Sequence, residues 1–183
     1  MTTDVHTSGF PWRWLGWGAA AALLAVPLVA MQFTREVQWT LLDFVVMGTL
    51  IGAVGLCFEF VASRSASFAY RAGGGLALLA TFFLVWVNLA VGVIGSEDNA
   101  ANLLFALVIA TAIGGSIVAH FRAPGMAKAM LATAAVQVAV AGVALAGNMG
   151  ADGPIWPRDL LGVTAILTTL WLAAALLFHR ARK

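Results

Sequence analysis

Residues 41–61 read LLDFVVMGTLIGAVGLCFEFV, and this run decides the fold. At 1.5 Å per residue it extends about 32 Å as a helix, enough to cross a hydrocarbon core of about 30 Å. Only Asp43 and Glu59, near its two ends, carry charge. A barrel strand would alternate polar and apolar positions over about ten residues. This run is apolar on every side and twice that long, so a helix, which satisfies its own backbone, is the form that lipid permits.

Five more runs of the same kind flank it, at 15–31, 72–94, 101–119, 126–146 and 160–178. The expectation is an all-α integral membrane protein, a compact bundle of six transmembrane helices forming a single transmembrane domain over 1–183. Composition agrees: 62% of the 183 residues are hydrophobic and 10% are charged, against about 25% charged in an ordinary soluble domain. A water-soluble chain of this size could not hide that much apolar surface. The net charge of +2 gives no reason to expect nucleic acid; membrane lipids are the expected surroundings.

Orientation follows from the cationic residues in the connections. With the N-terminus in the cytoplasm, Arg13, Arg64, Arg71, Arg122, Lys128, Arg180, Arg182 and Lys183 fall inside, and only Arg35 and Arg158 fall outside. Six crossings then return the C-terminus to the cytoplasm, where His179, Arg180, Arg182 and Lys183 can meet anionic headgroups. Trp12, Trp14 and Trp17 at one interface, with Trp39, Trp156 and Trp86 toward the other, read as anchors. Pro27 is expected to kink the first helix or end it early. The segment from Arg13 to Ala30 has the outline of a signal peptide but is long enough to remain as an anchor.

The connections are short, so neighbouring helices should run antiparallel. The longest, 148–159, contains Asp152-Gly153-Pro154 and Trp156-Pro157 and reads as an ordered turn, with Asp159 placed to cap the last helix. A weak internal similarity joins Asp43 through Gly92 to Asn102 through Gly147. Each is a helix, a basic turn and a helix, which would make helices 2–3 and 4–5 a parallel repeat.

Polar residues inside apolar runs are the candidate functional positions. Gly48, Gly52, Gly55 and Glu59 recur at helical spacing on one face, so the three glycines offer a helix-packing strip and Glu59 continues it toward the cytoplasmic end. There Glu59 is expected to be protonated or paired with Arg64, Arg71 or Arg122. Asp43, sixteen residues earlier, lies about 24 Å away along a straight helix. The two carboxylates are therefore no acid–base pair, and Asp43 is expected to cap its helix or pair with Arg35.

Asn88 and Gln137 are intramembrane amides that should find partners across the bundle, Gln137 in Thr111, Thr133 or a carbonyl. Cys57, the one cysteine, is expected to be a buried small hydrophobe. Toward the outer side, Asp43, Asn88, Glu97, Asp98, Asn99 and Asn102 form a candidate polar or cation site. Their oxygens would suit a hard cation such as Ca²⁺, although the spacing matches no EF-hand. Turn formation is the competing account, with Gly95 ending one helix and Ser96, Asp98 or Asn99 capping the next. No other cofactor is expected.

Several chemistries lack their motifs. His6, His120 and His179 sit in the N-terminal tail or at helix ends and are not placed as a haem-ligand pair. There is no paired-cysteine motif, phosphate-binding glycine loop, G-x-S-x-G context or arginine-rich voltage sensor.

The stretch Trp86-Val87-Asn88-Leu89-Ala90-Val91-Gly92-Val93-Ile94-Gly95-Ser96-Glu97-Asp98-Asn99 resembles small multi-pass inner-membrane proteins of proteobacteria. That resemblance implies a bacterial inner-membrane location and no activity. The first functional expectation is therefore a non-enzymatic membrane component, an accessory or scaffold subunit that forms a homo-oligomer or joins a membrane-protein partner. It would associate through the glycine face and the Glu97–Asn102 turn. Two alternatives stay open: a small oligomeric channel or secondary transporter using Glu59, Asn88, Gln137 and Asp43, and an enzyme acting on a lipid or quinone.

Overall fold

The computed structural model describes residues 12–182; His6 and Lys183 lie outside that range. Among the described residues there are six long helices: α1 Trp12–Phe33, α2 Leu41–Ala62, α3 Phe68–Ala90, α4 Phe105–Val118, α5 Ala123–Ala146 and α6 Arg158–Arg180. A 3-10 turn, Ala100–Leu104, leads into α4. All six segments, with that turn counted into the fourth, are long and apolar enough to cross a membrane. The chain is thus a multi-pass helical membrane protein by length and composition, and it divides into two units, residues 1–56 and 57–183.

In the first unit α1 runs unbroken through Pro27 to Phe33. Lipid-embedded helices tolerate an internal proline because neighbouring groups satisfy the carbonyl it frees. A Cβ at Gly55 would lie 3.0 Å from the Trp17 ring, and one at Gly48 would lie 3.5 Å from a Leu24 methyl. Seven residues up α1 thus match seven down α2, which is the register of an antiparallel hairpin. No residue from Trp14 to Leu56 is buried. Thr40 starts α2 in a reciprocal cap: its amide and hydroxyl donate to the Asp43 carboxylate at 2.7 and 2.8 Å, and its hydroxyl accepts from the Asp43 amide at 3.3 Å. This is a capping box with aspartate in place of glutamate.

The second unit holds the core, where α6 lies against both α5 and α3, and α4 lies against α5. Small residues set the spacing. A Cβ at Gly73 of α3 would lie 3.3 Å from the Ala174 carbonyl of α6 and the same distance from the Phe178 ring. One at Gly115 of α4 would lie 2.8 Å from the Ala129 Cβ of α5, and Gly74 lies under Val61. Trp171, Phe178, Phe105 and Leu84 fill the interior.

One end of this unit is basic. The Tyr70 hydroxyl donates to the Phe121 carbonyl at 2.5 Å, the Arg182 guanidinium donates to the Pro124 carbonyl at 3.1 Å, and Tyr70 meets Phe178 edge to face. The start of α3, the α4–α5 turn and the end of α6 therefore meet there. Arg64 lies 4.3 Å from the centroid of the Phe60 ring and 5.5 Å from that of Phe121, which places its charge over two aromatic faces.

Two differences from the sequence reading have local causes. The third helix was expected at 72–94, but it starts at Phe68, because the Ser67 hydroxyl accepts from the Tyr70 amide, and it ends at Ala90. Gly92 then takes φ +71°, and the Val91 and Gly92 amides both close on the Val87 carbonyl. Cys57, expected to be buried, is exposed. In a bilayer the outside of a bundle is as apolar as its core, so an apolar neighbourhood does not imply burial in protein.

Candidate functional site

The polar turn after α3 is built by two asparagines. Asn102 Oδ1 accepts from the amides of Val93 and Ile94 at 2.9 and 2.8 Å, and its Nδ2 donates to the Ser96 carbonyl at 2.7 Å. Asn99 Oδ1 accepts from the Ala101 amide at 2.9 Å, capping the 3-10 turn, and its Nδ2 reaches the Met149 carbonyl at 2.7 Å. That last bond ties the turn to the connection between α5 and α6. Gly95, at φ +78°, lets the two backbones approach: a Cβ there would lie 3.3 Å from the Gly150 Cα, and one at Gly153 would lie 3.0 Å from the Gly95 Cα.

Both asparagine oxygens thus serve backbone donors, while Glu97 and Asp98 remain exposed on the outside of the turn. Asp43 lies in the other unit and is engaged with Thr40. Among the described residues, no group of three or more His, Cys, Asp or Glu side chains is placed to hold a metal ion. Asp159 accepts from the Leu160 amide at 2.8 Å in the first turn of α6. A cavity of about 420 Å³ opens in the α1–α2 connection, lined by Met31, Thr34, Arg35, Gln38, Trp39 and Thr40 among others.

The interior of the second unit holds a different set of polar groups. Gln137 on α5 is fully buried, and neither its amide nitrogen nor its oxygen has a hydrogen-bond partner. The residues expected to pair with it are committed elsewhere: the Thr133 hydroxyl donates to the Ala129 carbonyl at 2.9 Å, and that of Thr111 to the Leu107 carbonyl at 2.7 Å. On α6 the Thr164 and Thr168 hydroxyls and the Trp171 indole nitrogen are likewise buried and unpartnered. Asn88 donates to the Leu84 carbonyl of its own helix at 2.8 Å and leaves its buried Oδ1 without a donor.

Helix geometry sets these groups at related depths. Thr164, Thr168 and Trp171 are spaced four and three residues apart and share one face of α6. Counted along the axes from the ends joined by the Gly147–Pro157 connection, Thr164, Gln137, Thr168 and Trp171 lie at depths of about 9, 14, 15 and 20 Å. Asn88, two residues from the end of α3, is at about 3 Å on the same scale. Each buried polar group without a partner costs about 1–3 kcal/mol, so this layer is expensive for the fold and its composition calls for a reason. Its members are all neutral, and among them they both donate and accept.

Asn88 and Gln137 are legible in the sequence as interior amides, whereas Thr164, Thr168 and Trp171 carry a signal only in their four- and three-residue spacing. Glu59 is half-buried near the basic end of α2.

No family of proteins matches this chain, and no curated protein or solved structure matches it either.

Proposed function

We propose that this chain is a non-enzymatic subunit of a membrane assembly, docked to another membrane-spanning chain through the α1–α2 hairpin. The observation that carries this reading is Gly52. It lies in the glycine strip between Gly48, beside Leu24, and Gly55, beside Trp17, yet nothing within 4 Å would meet a Cβ placed on it. In the other unit Gly73, Gly74 and Gly115 are in close contact with neighbouring helices, whereas Gly114, Gly142 and Gly162 are open. A small-residue strip in lipid supports association because backbones can approach closely there. The exposed Glu97 and Asp98 offer a second, polar contact at the membrane surface.

In this reading the basic connections face the cytoplasm of a bacterial cell and the acidic turn faces outward. Close packing at Gly73 and Gly115 counts against a continuous route through the second unit. The test is native mass spectrometry of the protein extracted with its lipids. An assembly heavier than the 19.1 kDa chain that dissociates on Gly52→Leu supports the proposal. Because no other side chain of the hairpin lies within 4 Å of a Cβ at Gly52, leucine there should leave the hairpin's own packing intact and affect docking alone. A monomer for the unaltered protein refutes it.

A further inference from the structure

We infer that Thr164, Gln137, Thr168 and Trp171 form a seat for a small neutral molecule that both donates and accepts hydrogen bonds, reached from the end bearing the Gly147–Pro157 connection. Four observations converge on it. Gln137 and Trp171 are fully buried, and their polar atoms, with the hydroxyls of Thr164 and Thr168, have no partner within the chain. The depths of these groups interleave along two helices that are packed together. The Asn88 carboxamide oxygen, also buried and unpartnered, lies nearer the surface and marks the approach. Beyond Trp171 the same face continues as Ala174, Ala175 and Phe178, all buried and apolar, with Gly73 of α3 against Ala174.

Apolar packing therefore closes this polar layer at its inner end. Its chemistry selects the occupant. The Trp171 indole donates, the Gln137 amide donates and accepts, and each threonine hydroxyl does both. None of the four carries charge, so an ion would give up its hydration without gaining a countercharge. In the packed conformation each of these atoms is buried. The occupant is consequently water or a solute of a few heavy atoms, admitted when the flexible Gln137 side chain turns.

The test uses single cysteines in a Cys57→Ser background, reconstituted in lipid vesicles and treated with iodoacetamide, a neutral thiol reagent small enough to follow such an occupant. A thiol reacts as its thiolate, and thiolate forms where water reaches it. Thr168→Cys is compared with Ala175→Cys, below the seat, and with Leu172→Cys, which is exposed on α6 and should face lipid. The inference predicts that Thr168→Cys reacts at least tenfold faster than either control, and that adding Gln137→Leu removes most of the difference. Slowing by molar glycerol or urea would identify a small solute as an occupant; an unchanged rate would identify water. Thr164→Cys provides a second reporter should Thr168→Cys fold poorly. Rates at both positions equal to that of Ala175→Cys, in protein that remains folded, overturn the inference.

Discussion

Replacing Asn102 with alanine removes the acceptor for two backbone amides, those of Val93 and Ile94, whose residues are 1% and 0% exposed. It also removes the donor to the Ser96 carbonyl. Two buried amides left without partners cost about 1–3 kcal/mol each, and the bond to Ser96 adds about 0.5–1.5 kcal/mol. The expected loss is about 2.5–7.5 kcal/mol, a large share of the 5–15 kcal/mol typical of a folded domain. Asn102→Asp separates the contributions. It keeps the oxygen that serves the two amides but sets a carboxylate against the Ser96 carbonyl, for an intermediate loss of about 1–2 kcal/mol. Equilibrium unfolding in bicelles, followed by circular dichroism, measures both. An Asn102→Ala protein within 0.5 kcal/mol of the parent would refute the assignment of Asn102 as the residue that builds this turn.

Three other outcomes follow from the same geometry. Gly73→Val should destabilise the protein by about 1–3 kcal/mol by crowding Ala174 and Phe178, whereas Gly114→Ala, with nothing within 4 Å, should change stability by less than about 0.5 kcal/mol; the same unfolding assay reads both. Thr40→Ala should cost about 1 kcal/mol by removing the Asp43 capping partner, with the loss appearing as faster amide exchange in the first turn of α2. With the proposed orientation, Asp98→Cys and Asp152→Cys should react with a membrane-impermeant thiol reagent in intact cells, while Ala66→Cys should react only after permeabilisation; labelling in the reverse pattern would invert the topology.

The helices were legible because crossing lipid demands about twenty apolar residues in a row, and no local preference overrides that requirement. Helix ends depended on finer chemistry. Thr40-x-x-Asp43 carried a readable capping signature, while the start of α3 at Phe68 rested on one serine in the Ser-rich segment 63–67. The roles of Asn99 and Asn102 were half legible: their position in a turn was expected, but their backbone partners lie up to 50 residues away and depend on how two connections dock. Gln137 stood out as a polar side chain in an apolar run. Thr164, Thr168 and Trp171 did not, because threonine readily bonds its own helix, as Thr169 does to the Ala165 carbonyl, and tryptophan near a membrane reads first as an anchor. Only the placement of α6 between α3 and α5 shows that these three face inward.

The most direct test of the proposed docking role is made in the native membrane. Photoreactive side chains at Thr49 and Ala53, exposed positions flanking Gly52, and at Leu172 on α6 would report what each surface touches after illumination. The account predicts protein adducts of defined mass from positions 49 and 53 and lipid adducts from position 172. Lipid adducts alone from all three positions would contradict it.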